Sequence, residues 1–516
     1  HVQEQKEIGG FGGEHMRWLV MAVAVVAGVA LSARSAMALD RDEVMRLLGK
    51  EMGEKVLAAV KKGCEYLKSQ QKGDGHWEGK HLSILYPDGV TALTLYALLK
   101  GGTPKHDEAI KKGFDWLRQT IAKNGFKTVY STSCIILALS ALMEPPPVKK
   151  EREKLLKKPT MHTRAFEPEE KRKRAAARKA PRWAKDLLRR AVAWLLKQQQ
   201  KYIWRYPGPM PGGTGGPGPN HDCSNTQYAA LALHEAMRCG ISVPTDVFKR
   251  VAQYFVTHQE PSGPEVKGFP VPGADLSLKG LKKLEKRILK AMEEEWKAQL
   301  KQWKKAKEGE KPKLRLPKTS AIDVGNPQKR LKGEMKKMHA RGWSYIERMQ
   351  GMRLPGDWTR TTGSMTTSGV ICLTIAKSVV EGKVPRPFLR KINQGIRDGM
   401  AWLAHHWTTS SNPNSDCWHL YYLYGIERCG VLTLTEKLGT HKWYKEGAEY
   451  LLGAQQSDGS WKEEISRGRF GVGNSSGHIG LGPVENTCFA ILFLGRATTP
   501  IIGEKTVKTG LGMFGK

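Results

Sequence analysis

Acidic residues are scarce in this chain of 516 residues, where 50 Asp and Glu face 84 Lys and Arg and leave a formal net charge of +34. The chain also lacks CxxC pairs, zinc-finger spacings, an HExxH motif and a phosphate-binding loop, which excludes the common short signatures of metal and nucleotide sites. A hydrophobic content of 40 % with 15 Trp excludes a disordered or collagen-like chain. The length allows several ordinary domains or one large repeat architecture.

The excess positive charge is concentrated in two stretches. Residues 149–185 hold 15 Lys and Arg against 5 Asp and Glu, and residues 276–341 hold 21 against 8. We interpret both as insertions into a mildly basic domain. The second insertion predicts an amphipathic helix with an apolar stripe of Leu284, Ile288, Trp296, Leu300 and Trp303. Such a helix favours contact with an anionic membrane surface or an acidic polymer, and the alternative is a solvated insertion packed lightly on the domain.

The first 38 residues are predicted to direct export. Met16 and Arg17 precede an apolar run from Trp18 to Leu31, and Ser35-Ala36-Met37-Ala38 then has the small-x-small form that signal peptidase cuts. We therefore expect an exported protein of the periplasm or cell envelope, with the segment either cleaved or kept as an anchor. Nucleic acid is not an expected partner, because the chain is exported and contains no recognised reader module. No later stretch predicts a membrane span.

One helical pattern recurs along the chain. Its best copies run from Gln71 through Gly75 to Trp77 and from Gln455 through Gly459 to Trp461, each after a helix with one charged face. Weaker copies contain Trp116, Trp194 with Gln199, Gln259, and Trp402. Recurrence of this kind predicts a repeat fold in which neighbouring units bury one another.

A second helix of different character follows each copy. These six helices are apolar or small on nearly every side, and such a helix must be surrounded by other elements. They cover residues 91–99, 133–143, 228–237, 369–376, 418–426 and 488–494. The pairing predicts two concentric rings with the apolar helices inside, and most of the eight dispersed cysteines are expected to be buried small side chains. Gly240 and Gly430 are expected to follow the ends of two inner helices.

The copies at Gln71–Trp77 and Gln455–Trp461 resemble the QW motif of the terpenoid cyclase and protein prenyltransferase superfamily. The run from Asp416 to Trp461 and the string from Asp222 to Gln227 are similar to uncharacterised exported squalene-cyclase-repeat proteins of planctomycete type. The resemblance implies an all-α fold, an (α/α)6 toroid of six helical hairpins with a cavity along its axis. We therefore expect an upstream extension and signal peptide at 1–38, a toroid domain at 39–500 with insertions at 149–185 and 276–341, and a tail at 501–516.

Polar residues at the starts of the inner helices would collect around one mouth of such a ring. The candidates for acid–base chemistry there are Asp222, Asp416, His419 and Glu485. The aromatic candidates for contact with an apolar ligand are Tyr228, Trp418 and Tyr422. The structural alternative is that Asp416 caps a helix and His419 is an ordinary core or mouth residue.

Two classes of function stay open. The first is a toroid that binds an apolar small molecule or a protein partner at the cell envelope. The second is an enzyme of the terpene cyclase or prenyltransferase kind, as the resemblance implies. The DxDD acid of the cyclases has no counterpart at an inner-helix start, and export separates the chain from cytosolic prenyl transfer, so binding is favoured. No cofactor is expected, and the alternative is zinc held by Asp416, Cys417 and His419 with Cys223 or Cys488.

Overall fold

The computed structural model describes residues 41–80, 83, 85–146, 148–161, 164–205, 222–317, 337–345, 359–462 and 480–500. The predicted signal segment and the predicted tail lie outside these residues. Within them the chain is mostly helical, with a single sheet of two short antiparallel strands.

The elements are α1 (Arg41–Leu48), α2 (Lys50–Ser69), α3 (Pro87–Lys100), α4 (Glu108–Asn124), α5 (Val129–Leu142), α6 (Val148–Lys157), a 3-10 turn (Arg164–Phe166), α7 (Glu169–Lys179), α8 (Arg182–Lys197), α9 (Cys223–Arg238), α10 (Thr245–Thr257), β1 (Glu265–Val266), α11 (Pro272–Asp275), α12 (Leu278–Lys305), β2 (Met338–His339), α13 (Gly363–Val380), α14 (Arg386–His405), α15 (His419–Leu432), α16 (Trp443–Ala454) and α17 (Pro483–Leu494). Strand β1 pairs with β2 so that Glu265 is opposite His339.

Six helices close into a ring. Helix α3 packs against α5, α5 against α9, α9 against α13, α13 against α15, α15 against α17, and α17 against α3. These are the six helices predicted to be inner, and nearly every residue of each is buried. Helices α2, α4, α8, α10, α14 and α16 pack on the outside and bury one face each. The predicted (α/α)6 toroid is therefore confirmed.

One described helix, α13, is long and apolar enough to cross a membrane by length and composition. It is an inner helix of the ring, and 89 % of its apolar window is buried by protein. Its hydrophobicity is explained by its position, because an inner helix is covered by its two ring neighbours, by outer helices and by side chains at the centre.

In four of the six hairpins, a Gln and a Trp make recurring hydrogen bonds that join neighbouring helices. The pairs are Gln71 with Trp77, Gln199 with Trp204, Gln259 with Trp343, and Gln455 with Trp461. Each Gln side chain ends one outer helix and donates to a backbone carbonyl of the next outer helix. The Gln455 Nε2 atom donates to the carbonyl of Ala59 at 2.9 Å, which joins the last outer helix to the first.

Each Trp of these pairs links an outer helix to the following inner helix. The indole of Trp461 donates to the carbonyl of Leu451 on α16 at 2.9 Å, and its backbone N–H donates to the hydroxyl of Thr487 on α17 at 3.2 Å. The same two bonds recur at Trp77, Trp204 and Trp343. A repeated local pattern thus becomes a repeated set of bonds between the two rings.

Two smaller expectations have different outcomes. All eight cysteines are buried, which confirms the prediction made for most of them, and all eight are free. Gly240 has a φ of +93° just after α9, which agrees with its predicted place beyond a helix end. The prediction for Gly430 is wrong, because this residue lies inside α15. A Cβ atom there would come within 2.4 Å of the Trp443 ring, so the glycine allows the close approach of the outer helix.

The two basic insertions pack against each other, and the first insertion is also held firmly on the ring. From the predicted apolar stripe of α12, Ile288 and Trp296 lie in a separate small buried cluster with Leu155, Ala165, Phe166, Leu289 and Met292. Leu300 is also buried, whereas Trp303 is half-buried. The Lys173 ammonium, which is fully buried on α7, lies 2.8 Å from Glu144 and donates to the carbonyl of Ser140 at 2.7 Å. Arg238 of the ring pairs with Glu169 at 2.7 Å. Buried charges therefore anchor the first insertion. The side chain of Leu284, which was predicted to belong to the apolar stripe of the second insertion, lies outside the described residues.

Candidate functional site

The carboxylate of Asp222 caps the inner helix α9. It accepts hydrogen bonds from the backbone N–H of Asn225 at 2.9 Å, the Asn225 side chain at 2.6 Å, the Ser224 hydroxyl at 2.8 Å and the Tyr345 hydroxyl at 3.2 Å. The residue is 3 % exposed. Burial raises the pKa of Asp222, although these hydrogen bonds oppose the change. The position is that of a structural N-cap near the predicted mouth.

The other predicted polar residues have separate surroundings. Glu485, on the first turn of α17, is buried and accepts a hydrogen bond from the Ser83 hydroxyl. His419 begins α15 and donates from Nε2 to the carbonyl of Thr409 at 2.8 Å, and burial lowers its pKa. Its ring packs edge-on against Tyr450 of the outer ring, 5.0 Å away between ring centroids. The partners recorded for Glu485 and for His419 in the described residues have no residue in common.

Asp416 does not cap a helix, so the part of the structural alternative that concerned Asp416 was wrong. The residue is exposed, and the cap of α15 is Trp418, which has a left-handed backbone with φ of 65°. Trp418 is half-buried, whereas the Tyr422 ring is fully buried and its hydroxyl donates to the carbonyl of Thr408 at 3.3 Å. Among the predicted aromatic residues, Tyr228 alone reaches the centre of the ring through contacts that the described residues record.

Side chains from helices that are not neighbours meet at the centre of the ring. Tyr228 of α9 stacks on Tyr421 of α15, with ring centroids 6.1 Å apart, and the Tyr424 hydroxyl donates to that of Tyr96 on α3 at 3.5 Å. Phe489 of α17 packs against both Tyr421 and Tyr424. Together with Arg428 these residues form what we call the axial cluster: Tyr96, Tyr228, Tyr421, Tyr424, Arg428 and Phe489.

The guanidinium of Arg428 is the charged group of the axial cluster. Arg428 is 1 % exposed, and its guanidinium carbon lies 3.7 Å from the centroid of the Tyr424 ring and 4.9 Å from that of Tyr228. Its Nη2 atom donates to the Tyr228 hydroxyl at 3.1 Å. In the part of the chain that the structure describes, its Nε and Nη1 atoms have no hydrogen-bond partner, and the groups that interact most strongly with its charge are the tyrosines Tyr424, Tyr228 and Tyr421.

A second donor without a described partner lies beside the cluster. Gln227 is fully buried, and its Oε1 atom accepts from the Tyr421 hydroxyl at 2.8 Å and the Ser368 hydroxyl at 2.6 Å. Its Nε2 atom has no hydrogen-bond partner among the described residues. Since buried donors are normally satisfied, the centre of the ring presents N–H groups that suit an acceptor or an anion.

Arg428 and Gln227 were missed as functional residues from sequence. The one local signal is the spacing of four between Tyr424 and Arg428, which places ring and guanidinium on the same face of a helix. Of the two cysteines proposed to complete a zinc site, Cys223 contacts Tyr254 and Cys488 contacts Thr94. Among the residues that the structure describes, no group of three or more His, Cys, Asp or Glu could hold a metal ion.

Comparison with known proteins adds little to this geometry. No family model and no curated protein matches the chain. Seven chains of solved structures match, among them a variant of a type II terpene cyclase from Scytonema in complex with its product merosterolic acid A. That match has 9 % sequence identity, covers 86 % of this chain and 97 % of the cyclase chain, and has a TM-score of 0.27. At this TM-score it carries no argument, and the fold assignment rests on the closed ring of helices.

Proposed function

We propose that the protein is an exported binding toroid of the cell envelope that takes an apolar molecule with an anionic head group, the head group pairing with Arg428. The observation that carries this proposal is the buried guanidinium of Arg428 with two donors lacking described partners. Holding an unpaired charge inside a protein costs several kcal/mol, and contact with aromatic faces returns only about 0.5–2 kcal/mol. A bound anion would supply the missing counter-charge and acceptors.

The surroundings of Arg428 favour an apolar body on the same ligand. The rings of Tyr228 and Tyr424 contact the guanidinium, and Tyr421 and Phe489 pack beside them. Small-molecule sites are lined mainly by such side chains with a few polar groups that fix orientation. Gln227 adds a second donor next to the same rings. Carboxylates and phosphates are the anions that an arginine fork holds best.

The alternative, cyclisation of a polyene, has less support. A cyclase stabilises carbocations with the faces of aromatic rings, and here the permanent cation of Arg428 already occupies the faces of Tyr424 and Tyr228. A second positive charge beside it would be repelled. Asp222, the buried acid near the cluster, is engaged by several donors. Incubation with squalene followed by product analysis tests this alternative, and a cyclic product would establish it.

Titration calorimetry with palmitate and with hexadecanol, which has a chain of the same length, tests the proposed function. We expect the wild-type protein to bind palmitate at one site per chain and at least tenfold more tightly than the alcohol. Arg428→Met should reduce palmitate affinity to that of the alcohol, whereas Arg189→Met, an exposed arginine on α8, should leave it unchanged. Equal affinity for acid and alcohol in the wild-type protein would contradict the proposal, as would failure of both to bind.

A further inference from the structure

A line of lysines follows the exposed side of α12, which lies in the second insertion and contributes no residue to the axial cluster. Lys283, Lys290, Lys297 and Lys304 recur every seven residues, and a helix places residues at that spacing on one face with a drift of only about 20°. We call these four residues the lysine stripe. At about 1.5 Å per residue it is roughly 32 Å long.

The lysine stripe has few counter-charges of its own. Helix α12 carries ten Lys and Arg against four Glu. Lys297 lies 2.7 Å from Glu293, and Lys290 lies 3.6 Å from Glu294. Lys283 and Lys304 have no ion-pair partner within the residues that the structure describes, and both are exposed. The stripe therefore presents a positive line to solvent.

The face of α12 opposite the lysine stripe is buried and packs against the first insertion, which fixes the position of the stripe. Trp296 and Leu300 are fully buried, and the Trp296 indole donates to the carbonyl of Thr160 in the first insertion at 3.1 Å. The segment after the helix folds back along it, and the backbone N–H of Arg315 donates to the Gln299 side chain at 3.1 Å. The charges are thus displayed by two insertions packed together, which limits the conformational entropy lost when a ligand binds.

A cleft between the insertions brings further lysines to the same surface. It has a volume of about 270 Å³, and Lys171 of α7 lines it together with Lys286 and Lys290 of α12 above Phe166 and Leu289. Glu167 and Glu293 also line this cleft. Positive charge therefore continues from the stripe onto the first insertion.

We propose that the lysine stripe binds an extended acidic polymer of the cell surface. A linear array of cations on a rigid helix matches a linear polyanion through repeated charge pairs. A bilayer is the less favoured partner, because a membrane-surface helix buries its apolar face among lipids and the apolar face of α12 is already buried by protein. Within the described residues the exposed large apolar side chains are Leu85 and Leu156, and neither lies on α12.

Binding to immobilised polygalacturonate, polyphosphate and neutral dextran tests this proposal, with the full protein and a variant in which all four stripe lysines are replaced by Gln. The matched control replaces four exposed lysines of the outer ring, Lys61, Lys111, Lys112 and Lys123, by Gln, which removes the same charge. We expect the stripe variant to lose at least tenfold in affinity for a polyanion and the control less than twofold. Preference for polygalacturonate would identify carboxylates as the polymer charge, and preference for polyphosphate would identify phosphates.

Three results would overturn the proposal. One is an equal loss of affinity in both variants, which would show that only net charge matters. Another is no binding of either polyanion by the wild-type protein at 0.15 M salt, where charge interactions extend about 8 Å. The third is tighter binding to phosphatidylglycerol vesicles than to both polyanions, with the same dependence on the stripe, which would assign the surface to a membrane. None of these results bears on Arg428, so the two proposals fail independently.

Discussion

Replacing Arg428 by Met should leave the ligand-free protein as stable as the wild type or stabilise it. The substitution removes the hydrogen bond to Tyr228 and the contact with the Tyr424 ring, which together contribute about 2–4 kcal/mol. It also removes a buried charge and two donors that lack described partners, whose burial costs several kcal/mol. Met fills a similar elongated space with apolar atoms. We expect a net change between zero and a gain of about 3 kcal/mol in the free energy of unfolding.

Lys377→Met is the matched control for this prediction. Lys377 is also a buried cation of the inner ring, but its ammonium donates to the carbonyls of Gly273, Ala274 and Leu276 at 2.8 to 3.0 Å. Its loss leaves those acceptors without their charged donor, which should cost about 3–5 kcal/mol. Urea unfolding of delipidated wild type and both variants, followed by circular dichroism, compares the two cations directly. If Arg428→Met is destabilised as much as Lys377→Met, the guanidinium is a structural group of the ligand-free protein, which would contradict the prediction.

Two further predictions concern the ring itself. Gln455→Leu removes the bond to Ala59 that joins the last outer helix to the first, and a second bond to Gly459, and should lower the unfolding free energy by about 1–3 kcal/mol. Gln119→Leu, at an exposed position on α4, should change it little, and equal effects in urea unfolding would refute a role in closure. Burial alone would raise the pKa of Glu235, but the positive charges of Arg238 and of nearby lysines outweigh this effect and lower the pKa to about 2. A lowered pKa stabilises the fold above the unfolded value near 4.3 and loses that contribution as the pH falls towards 2. The thermal midpoint should therefore drop over this range and drop less in Glu235→Gln than in the exposed control Glu108→Gln, and parallel profiles would contradict the assignment.

The fold could be predicted from the sequence because the composition of the inner helices shows that they are buried on all sides. The inner helices are apolar or small over most of their surface and carry few charged residues, and a closed ring of hairpins surrounds six such helices at once. The copies at Gln71 and Gln455 were legible because their Gly turns keep Trp six residues after Gln. Trp204 and Trp343 were missed because the first follows Gln199 without the Gly turn, and the second insertion separates the other from Gln259.

The candidate site was harder to predict from the sequence. Local patterns mark helix starts, and Asp222 is indeed a cap, but they do not show which side chains cross the centre of a ring. Arg428 looks like an ordinary charged residue near a helix end, and its burial depends on Tyr228, which precedes it by 200 positions. Helix α12 shows a similar limit. Its apolar residues predicted contact with a membrane surface or a polymer, but side chains of the first insertion cover them.

The most direct test of the central claim is native mass spectrometry of the protein purified gently from cell envelopes, with Arg428→Met prepared in parallel. We expect the wild-type chain to carry one anionic amphiphile per molecule, recoverable by solvent extraction, and the variant to carry none. A wild-type chain that is empty, or a neutral lipid bound equally by both proteins, would contradict it.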